Sequence, residues 1–121
     1  MFNNMLVKRI SQMSITKEDV SMNITDIKIR KTFNNPKDRL RALVSITIDD
    51  CLAIHEIKVI QGDDRLFVAM PNRKDDSGSY RDIVHPTQLK LRQEFEHIIL
   101  KAYQNYIDLF NDENNDNTDG N

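Results

Sequence analysis

Alternating apolar and polar residues in the first two thirds of the chain predict a series of short β-strands. The clearest case is RLRALVSITIDD, residues 39–50, in which every second position is apolar. One face of this strand would carry Leu40, Ala42, Val44, Ile46 and Ile48, with Ser45 and its polar neighbours on the other face. The preceding segment, NITDIKIRK, places Ile27 and Ile29 on one face but Ile24 out of phase, which predicts a bulge or a face change near Thr25 and Asp26. The intervening NNPKD has the composition of a turn.

The segment CLAIHEIKVIQ, residues 51–61, changes its alternation phase at His55 and Glu56. A bulged strand explains this change, and a short helix carrying Ile54, Ile57 and Ile60 is the alternative. RLFVAM, residues 65–70, is apolar on both faces, which predicts a central strand buried on both sides and ended by Pro71. A long loop, NRKDDSGS, and a short strand, YRDIV, would then lead to a corner at His85.

The hydrophobic period changes after Thr87, a candidate helix N-cap. Apolar residues recur at three- and four-residue steps, which predicts one amphipathic helix of about 22 residues with a wide apolar stripe. The stripe would consist of Leu91, Phe95, Ile98, Ala102, Tyr106 and Leu109, with Ile99, Tyr103 and Phe110 beside it. Strands followed by one long helix predict an α+β fold with an antiparallel sheet of about five short strands. Residues 111–121 have almost nothing to bury and are predicted to be a disordered acidic tail.

Composition restricts the class of protein. A length of 121 residues suits one domain, and a single cysteine, Cys51, excludes an intrachain disulfide and fits a reducing cytoplasm. No apolar run is long enough to span a bilayer, and residues 1–21 lack the features of a secretory signal. The net charge of −2 is unevenly distributed, since residues 22–92 hold 13 lysines and arginines against ten acids, and residues 93–121 hold one lysine against seven acids. Local binding to a polyanion is therefore compatible with the overall charge.

Candidate catalytic and metal-binding groups do not form a recognisable set. Cys51 and His55 are four residues apart, while His85 and His97 lie far along the chain, so no zinc-type spacing exists. The three Asp-Asp pairs lie at predicted turns, where an aspartate binds nearby backbone amides. No phosphate-binding glycine motif is present. The sequence therefore predicts neither an enzyme nor a bound cofactor or metal, and His85 is expected to hydrogen-bond backbone at its corner.

Exposed cations are the more informative feature. Arg73 and Lys74 lie in the predicted long loop, and Arg81 lies across from them on the next strand. Lys90 and Arg92 lie in the first turns of the predicted helix. Further cations are predicted on the outward faces of the first two strands, namely Lys28, Arg30, Lys31, Arg39 and Arg41. Cations spaced along one surface can follow a phosphate backbone, although ordinary solvated charge gives the same pattern.

Four segments resemble the SpoVG (stage V sporulation protein G) family of small bacterial proteins. They are MNITDIKIRK, RALVSITIDDCLAIHEIKVIQG, LFVAMPNRK and YRDIVHP, and the resemblance runs from Met22 to about Tyr103. It implies an α+β homodimer in the bacterial cytoplasm that binds double-stranded DNA, and also RNA. It further implies a regulatory role in gene expression and, in spore-formers, in asymmetric septation.

The resemblance also suggests domain bounds and contact residues. An extension, residues 1–21, would precede a SpoVG-like domain, residues 22–110, and the tail, residues 111–121. Arg73, Lys74 and Arg81 fall inside the matched motifs and are the first candidates for nucleic-acid contacts, and Lys90 and Arg92 rank second. The alternative is a protein-interaction module without direct nucleic-acid binding.

Overall fold

The main body of the protein is a four-stranded antiparallel sheet with one helix packed on one face. The computed structural model describes residues 22–119, and the side chains of residues 22–111. The sheet has the strand order β1-β2-β3-β4, formed by β1 (Ile24–Thr32), β2 (Leu40–Ile48), β3 (Leu52–Gln61) and β4 (Leu66–Ala69). A separate hairpin, β5 (Asn72–Lys74) and β6 (Tyr80–Asp82), precedes the helix α1 (Leu89–Asp119). The predicted α+β fold, with an antiparallel sheet followed by one helix, is confirmed.

The β2–β3 connection is a tight turn made by the first Asp-Asp pair. Asp49 and Asp50 have φ angles of 51° and 58°, and the Cys51 N–H donates to the Ile48 carbonyl at 3.0 Å. Positive φ at both central residues is the type I′ pattern, whose twist matches that of a two-stranded ribbon. The Asp49 Oδ1 also accepts a hydrogen bond from the Asn23 N–H at 3.1 Å, which joins the turn to the start of β1.

The phase change in β3 is a β-bulge, which confirms the bulged strand rather than the short helix. Val44 pairs with Ile57, whereas Ile46 pairs with Ile54, so both His55 and Glu56 lie opposite Ser45. Glu56 adopts a φ of 63° to accommodate the extra residue. Ser45 is buried, although the alternation placed it on the outer face, because the bulged strand folds over it and His55 bonds its hydroxyl.

Other irregularities occur in β1 and β2. The register shift between Ile24 and Asp26 confirms the predicted bulge, and a second shift between Ile29 and Lys31 was not predicted. A shift also separates Leu40, which pairs with Ile60, from Ala42, which pairs with Val59. Leu40 therefore departs from the predicted apolar face, and it is absent from the residues packed on the core.

The prediction of a buried central strand at residues 65–70 is wrong. Within residues 22–119, β4 is an edge strand that pairs only with β3, and its four residues are only partly buried. Leu66 and Val68 pack against the core under the helix, while Phe67 pairs with Ile60 on the opposite face of the sheet. The apolar residues on both faces of RLFVAM thus belong to an edge strand, of which only one face is covered by the helix. The predicted long loop is also shorter, because Asn72–Lys74 forms β5.

Helix α1 begins at Leu89, two residues after the proposed cap at Thr87, and its 31 residues exceed the predicted length of about 22. Its bounds include most of the segment expected to be a disordered tail, and that expectation stays a prediction, as do the other proposed domain bounds. The extension at residues 1–21 lies outside the described residues. No helix within residues 22–119 is long and apolar enough to cross a membrane.

The core lies between α1 and one face of the sheet. Phe95, Ile99 and Tyr103 are the buried helix residues, spaced at four-residue steps. They pack with the buried strand residues Ala42, Val44, Ile46, Ile48, Ile57 and Val59 and with Met70. The predicted apolar stripe included residues that do not face the sheet, since Ile98, Tyr106 and Leu109 are 39%, 43% and 63% exposed. The buried residues Ile99 and Tyr103 had been placed beside the stripe.

The adjacent isoleucines of the helix test this orientation. We expect Ile99→Ala to lower the free energy of unfolding by about 2–5 kcal/mol, because a fully buried side chain leaves a cavity. The matched change Ile98→Ala should cost no more than about 1 kcal/mol, since that side chain is partly in solvent. Urea denaturation of both variants measures the difference, and equal losses would contradict the helix orientation.

Candidate nucleic-acid interface

The β5–β6 hairpin brings three of the predicted contact residues together. Arg73 lies directly opposite Arg81, and Lys74 lies opposite Tyr80. Two bonds attach the hairpin to the segment that follows β4: the Ile83 N–H donates to the Pro71 carbonyl at 2.7 Å, and the Asn72 amide donates to the Met70 carbonyl at 2.9 Å. All three strand β6 residues are exposed. A shallow groove of about 530 Å³ lies along the hairpin, lined by Arg73, Lys74, Asp75, Asp76, Arg81, Asp82 and Ile83.

Asp75 organises the turn of this hairpin. Its Oδ1 accepts hydrogen bonds from the Ser77 hydroxyl at 2.6 Å and from the N–H groups of Ser77 and Ser79 at 2.9 and 3.0 Å. Its Oδ2 accepts from Arg81 Nε at 2.7 Å. Gly78, with a φ of 89°, completes the turn in a conformation that favours glycine. The turn chemistry predicted for Asp75-Asp76 is therefore confirmed at Asp75.

These bonds lower the pKa of the Asp75 carboxyl. The Ser77 hydroxyl, then Arg81 and the Ser79 N–H, favour the ionised form and lower the pKa of Asp75 from 3.8 to about 2. The carboxylate therefore remains charged throughout the range in which the protein would work. It faces Arg81, so it also offsets the repulsion expected between two arginines placed opposite each other on neighbouring strands.

The hairpin cations differ in how far their charge is compensated. Arg81 is paired with Asp75, whereas none of the four ion pairs among the described side chains involves Arg73 or Lys74. The Lys74 Nζ lies 6.0 Å from the centroid of the Tyr80 ring. Residues 72–84 contain as many acids as cations, so the hairpin carries no formal net charge. Any phosphate contact must therefore depend on where individual cations lie.

The two helix cations occupy different settings. Arg92 Nη2 contacts Asp82 Oδ2 at 3.3 Å, which links the first turn of α1 to the end of β6. Lys90 is exposed, and no hydrogen bond or ion pair among the described residues joins it to the hairpin. The structure thus groups Arg73, Lys74 and Arg81, connects Arg92 to them through an acid, and leaves Lys90 apart.

The histidines and the cysteine lie away from the hairpin turn. His85 Nδ1 bonds the Pro86 carbonyl oxygen at 3.0 Å, so the expected backbone bond is present and the nitrogen must be the donor. Cys51 is exposed at the β2–β3 turn, and His55 bonds Ser45 instead. No group of three or more His, Cys, Asp or Glu side chains in the described part of the chain is arranged to hold a metal ion.

Sequence reasoning missed the role of Asp75 as the anchor of Arg81. The signal was the spacing Asp75-x-Ser77-Gly78-Ser79, because an aspartate that precedes a Ser-Gly turn commonly accepts the N–H two residues ahead. The adjacent Asp76 would satisfy the same composition rule, so only the turn geometry separates the two acids.

The two hairpin serines allow a test of the Asp75 network. We expect Ser77→Ala to raise the pKa of Asp75 from about 2 toward 3.8, because the hydroxyl is the strongest contribution to the shift. Ser79→Ala should leave that pKa nearly unchanged, since Ser79 contributes through its backbone N–H. A depressed pKa stabilises the hairpin above about pH 4 and ceases to do so as the pH falls through about 2. Carboxyl carbon NMR titration checks both variants, and an identical response to the two changes would contradict the network.

Comparison with known proteins places the chain in a family. The SpoVG family model matches residues 22–105. A protein of Lachnospira eligens is 51% identical over 83 residues, which cover 69% of this chain and 92% of the relative. A protein of Agathobacter rectalis is 47% identical over 87 residues, covering 72% and 98% of the two chains. A protein of Borrelia hermsii is 47% identical over 83 residues, covering 68% and 86%.

Each of these relatives bears the name "Putative septation protein SpoVG". The matched region contains the four-stranded sheet, the β5–β6 hairpin and the buried part of α1. Because the match covers most of the chain at high identity, this protein belongs to the SpoVG family.

Proposed function

We propose that the protein is a dimeric, cytoplasmic nucleic-acid-binding regulator that acts on gene expression and, in spore-formers, on asymmetric septation. Double-stranded DNA is the principal ligand, and RNA is a second one. The observation that carries the proposal is the exposed β5–β6 hairpin, on which Arg73 and Lys74 have no acidic partner among the described side chains. The septation role follows from the names of the relatives.

The cations of this surface would contribute unequally to phosphate binding. Arg73 and Lys74 can release counterions from a phosphate backbone because neither forms an ion pair with a described acid. Arg81 already has its Nε bonded to Asp75, so its remaining nitrogen atoms can add a contact but its charge is partly offset. Arg92 is similarly held by Asp82, and Lys90 supplies a separate exposed charge. Arg73 and Lys74 should therefore contribute most of the salt-dependent affinity.

Dimerisation is supported by the apolar side chains that α1 leaves uncovered. Tyr106, Leu109 and Phe110 are 43%, 63% and 51% exposed, and they follow the last fully packed turn of the helix. In a chain of this size, burial against a second copy adds stability that a single core supplies only in part. A twofold arrangement would also present two hairpins to one ligand, which raises the avidity of a weakly charged site.

The hairpin cations provide the direct test of binding. We expect Arg73→Ala with Lys74→Ala to weaken binding to a labelled duplex by about tenfold at low salt and to reduce the salt slope by about 2, because each lost phosphate contact removes about one released ion. Fluorescence anisotropy at several salt concentrations measures both quantities.

A matched control removes the same charge elsewhere. Lys37→Ala with Lys101→Ala takes two exposed cations from the β1–β2 turn and from the helix, and it should leave binding unchanged within about twofold. If the two double variants lose affinity equally, the attraction is general rather than located at the hairpin. If the wild type binds no duplex at low salt, the proposal fails.

The helix surface provides the test of dimerisation. We expect Leu109→Lys to raise the dimer dissociation constant by at least about tenfold, because it places a charge in an apolar contact. Gln104→Lys, at an exposed polar position on the same helix, should leave association unchanged. Sedimentation velocity at several protein concentrations distinguishes the two variants, and a monomeric wild type would contradict the proposal.

The second candidate function is a protein-interaction module without direct nucleic-acid binding. The exposed Leu109 and Phe110 favour it, since uncovered apolar side chains can bind another protein as well as a second copy. A wild-type protein that binds neither duplex nor single strands, yet retains a defined protein partner after nuclease treatment, would support this function instead.

A further inference from the structure

The face of the sheet opposite α1 contains a strained position with no role in the core. Glu56 has a φ of 63° in the interior of β3, a conformation that is unfavourable for a residue with a Cβ. The bulge that imposes it places both His55 and Glu56 against Ser45. Strain of this kind persists where the surrounding structure holds it, and it concentrates at functional sites. The bulge at Glu56 is therefore a candidate functional position.

A pocket lies directly over the bulge. It has a volume of about 200 Å³ and is lined by Arg30, Leu43, Val44, Ser45, His55 and Glu56. Ser45 is the buried polar side chain at its base, and its hydroxyl lies 2.8 Å from His55 Nδ1, which fixes the orientation of the imidazole ring. Drug-sized ligands need about 300–1,000 Å³, so this pocket suits one planar heterocycle of one or two fused rings rather than a larger molecule.

The pocket lining contains one cation, Arg30, and one carboxylate, Glu56, and further cations lie around it. Lys28 lies opposite Ser45, and Lys31 and Lys58 lie on either side of Leu43, so three lysines surround the pocket on the same face. None of the four ion pairs among the described side chains uses these lysines or Glu56. A phosphate would be attracted by these lysines and repelled by the carboxylate of Glu56, an exposed residue of the pocket lining. This arrangement suits a polyanion that inserts a neutral ring while its phosphates remain outside.

We propose that this pocket binds an unpaired guanine of a single-stranded nucleic acid, with Glu56 accepting from its N1–H and N2–H groups. Guanine is the base that presents two adjacent donors on its Watson–Crick edge, which match the two oxygens of one carboxylate. Arg30 donates to O6 and N7 on the adjoining Hoogsteen edge of the base, as arginine does in direct readout of guanine. The guanine must be unpaired, because a partner base would occupy the edge that Glu56 requires.

The other bases fit this pocket less well. Adenine and cytosine each place an acceptor beside their amino group, and uracil and thymine place acceptors on both sides of a single N–H. Each would set a lone pair against the Glu56 carboxylate. The pocket therefore selects guanine by repulsion of the competitors as well as by attraction. The inference rests on the proposed nucleic-acid function, but it concerns a different surface from the β5–β6 hairpin.

Labelled oligothymidine 12-mers with one central guanine, inosine or adenine test the proposal by fluorescence anisotropy. We expect the wild type to bind the guanine strand about tenfold more tightly than the adenine strand, the factor that one good bidentate contact supplies. Inosine lacks the N2 amino group and should lose most of that preference. Glu56→Gln keeps the size of the side chain. It should reduce the preference to under about twofold, because it weakens binding of the guanine strand and also removes the repulsion that disfavours the adenine strand.

Two controls separate failure of this inference from failure of the proposed function. Glu94→Gln removes an exposed carboxylate from α1 and should retain the full guanine preference. Arg73→Ala with Lys74→Ala should weaken duplex binding but keep the ratio between guanine and adenine strands. Equal binding of the three strands by a wild type that still binds duplex, or an undiminished preference in Glu56→Gln, would overturn the guanine pocket alone. Absence of binding to any strand or duplex at low salt would overturn both proposals.

Discussion

Coverage of a single sheet face by a single helix is the constraint on which the rest of the structure depends. Phe95, Ile99 and Tyr103 cover the apolar residues of β2 and β3, and Glu96 secures the crossing by accepting the Val68 N–H at 3.2 Å and Arg65 Nη1 at 3.0 Å. Within residues 22–119, α1 packs on one face of the sheet, and no second helix covers the other face. Both candidate binding surfaces lie outside this packed face. The β5–β6 hairpin precedes the helix, and the pocket over the β3 bulge lies on the opposite face of the sheet.

The features of the fold that could be predicted were those in which local sequence and tertiary packing agree. The change of alternation at His55-Glu56 indicates a bulge. In a regular strand Ile54 and Ile57 would point to opposite faces, and an extra residue between them lets both face the core. RLFVAM misled because an apolar residue can lie at a half-covered edge as readily as in a central strand. The helix stripe was displaced by one residue at Ile98 and Ile99, since a stripe wider than the contact does not specify which line faces the sheet.

The candidate hairpin could be predicted only as a set of charges. The spacing of Arg73, Lys74 and Arg81 around a Ser-Gly turn indicated that they converge, and pairing across β5 and β6 places them there. Which cation is compensated depends on side-chain geometry, because Asp75 and Asp76 are equivalent by composition but only Asp75 bonds Arg81. The Ser45–His55 contact was hidden for a related reason: alternation assigned Ser45 to solvent, whereas the bulge brings a second residue over it.

The two surfaces solve one electrostatic problem in different ways. A chain with a net charge of −2 gives little overall attraction to phosphate, so binding at either proposed surface would depend on individual contacts. On the hairpin, Arg73 and Arg81 lie opposite each other, and Asp75 forms an ion pair with Arg81. The charge of Arg81 is thus partly neutralised, whereas no described acid pairs with Arg73. On the face opposite α1, Glu56 would repel phosphate but accept hydrogen bonds from a base edge that presents two donors. It would therefore lower the affinity for nucleic acid and raise the selectivity for one base. Acidic residues that reduce the positive charge of a binding surface can therefore determine which ligand that surface selects.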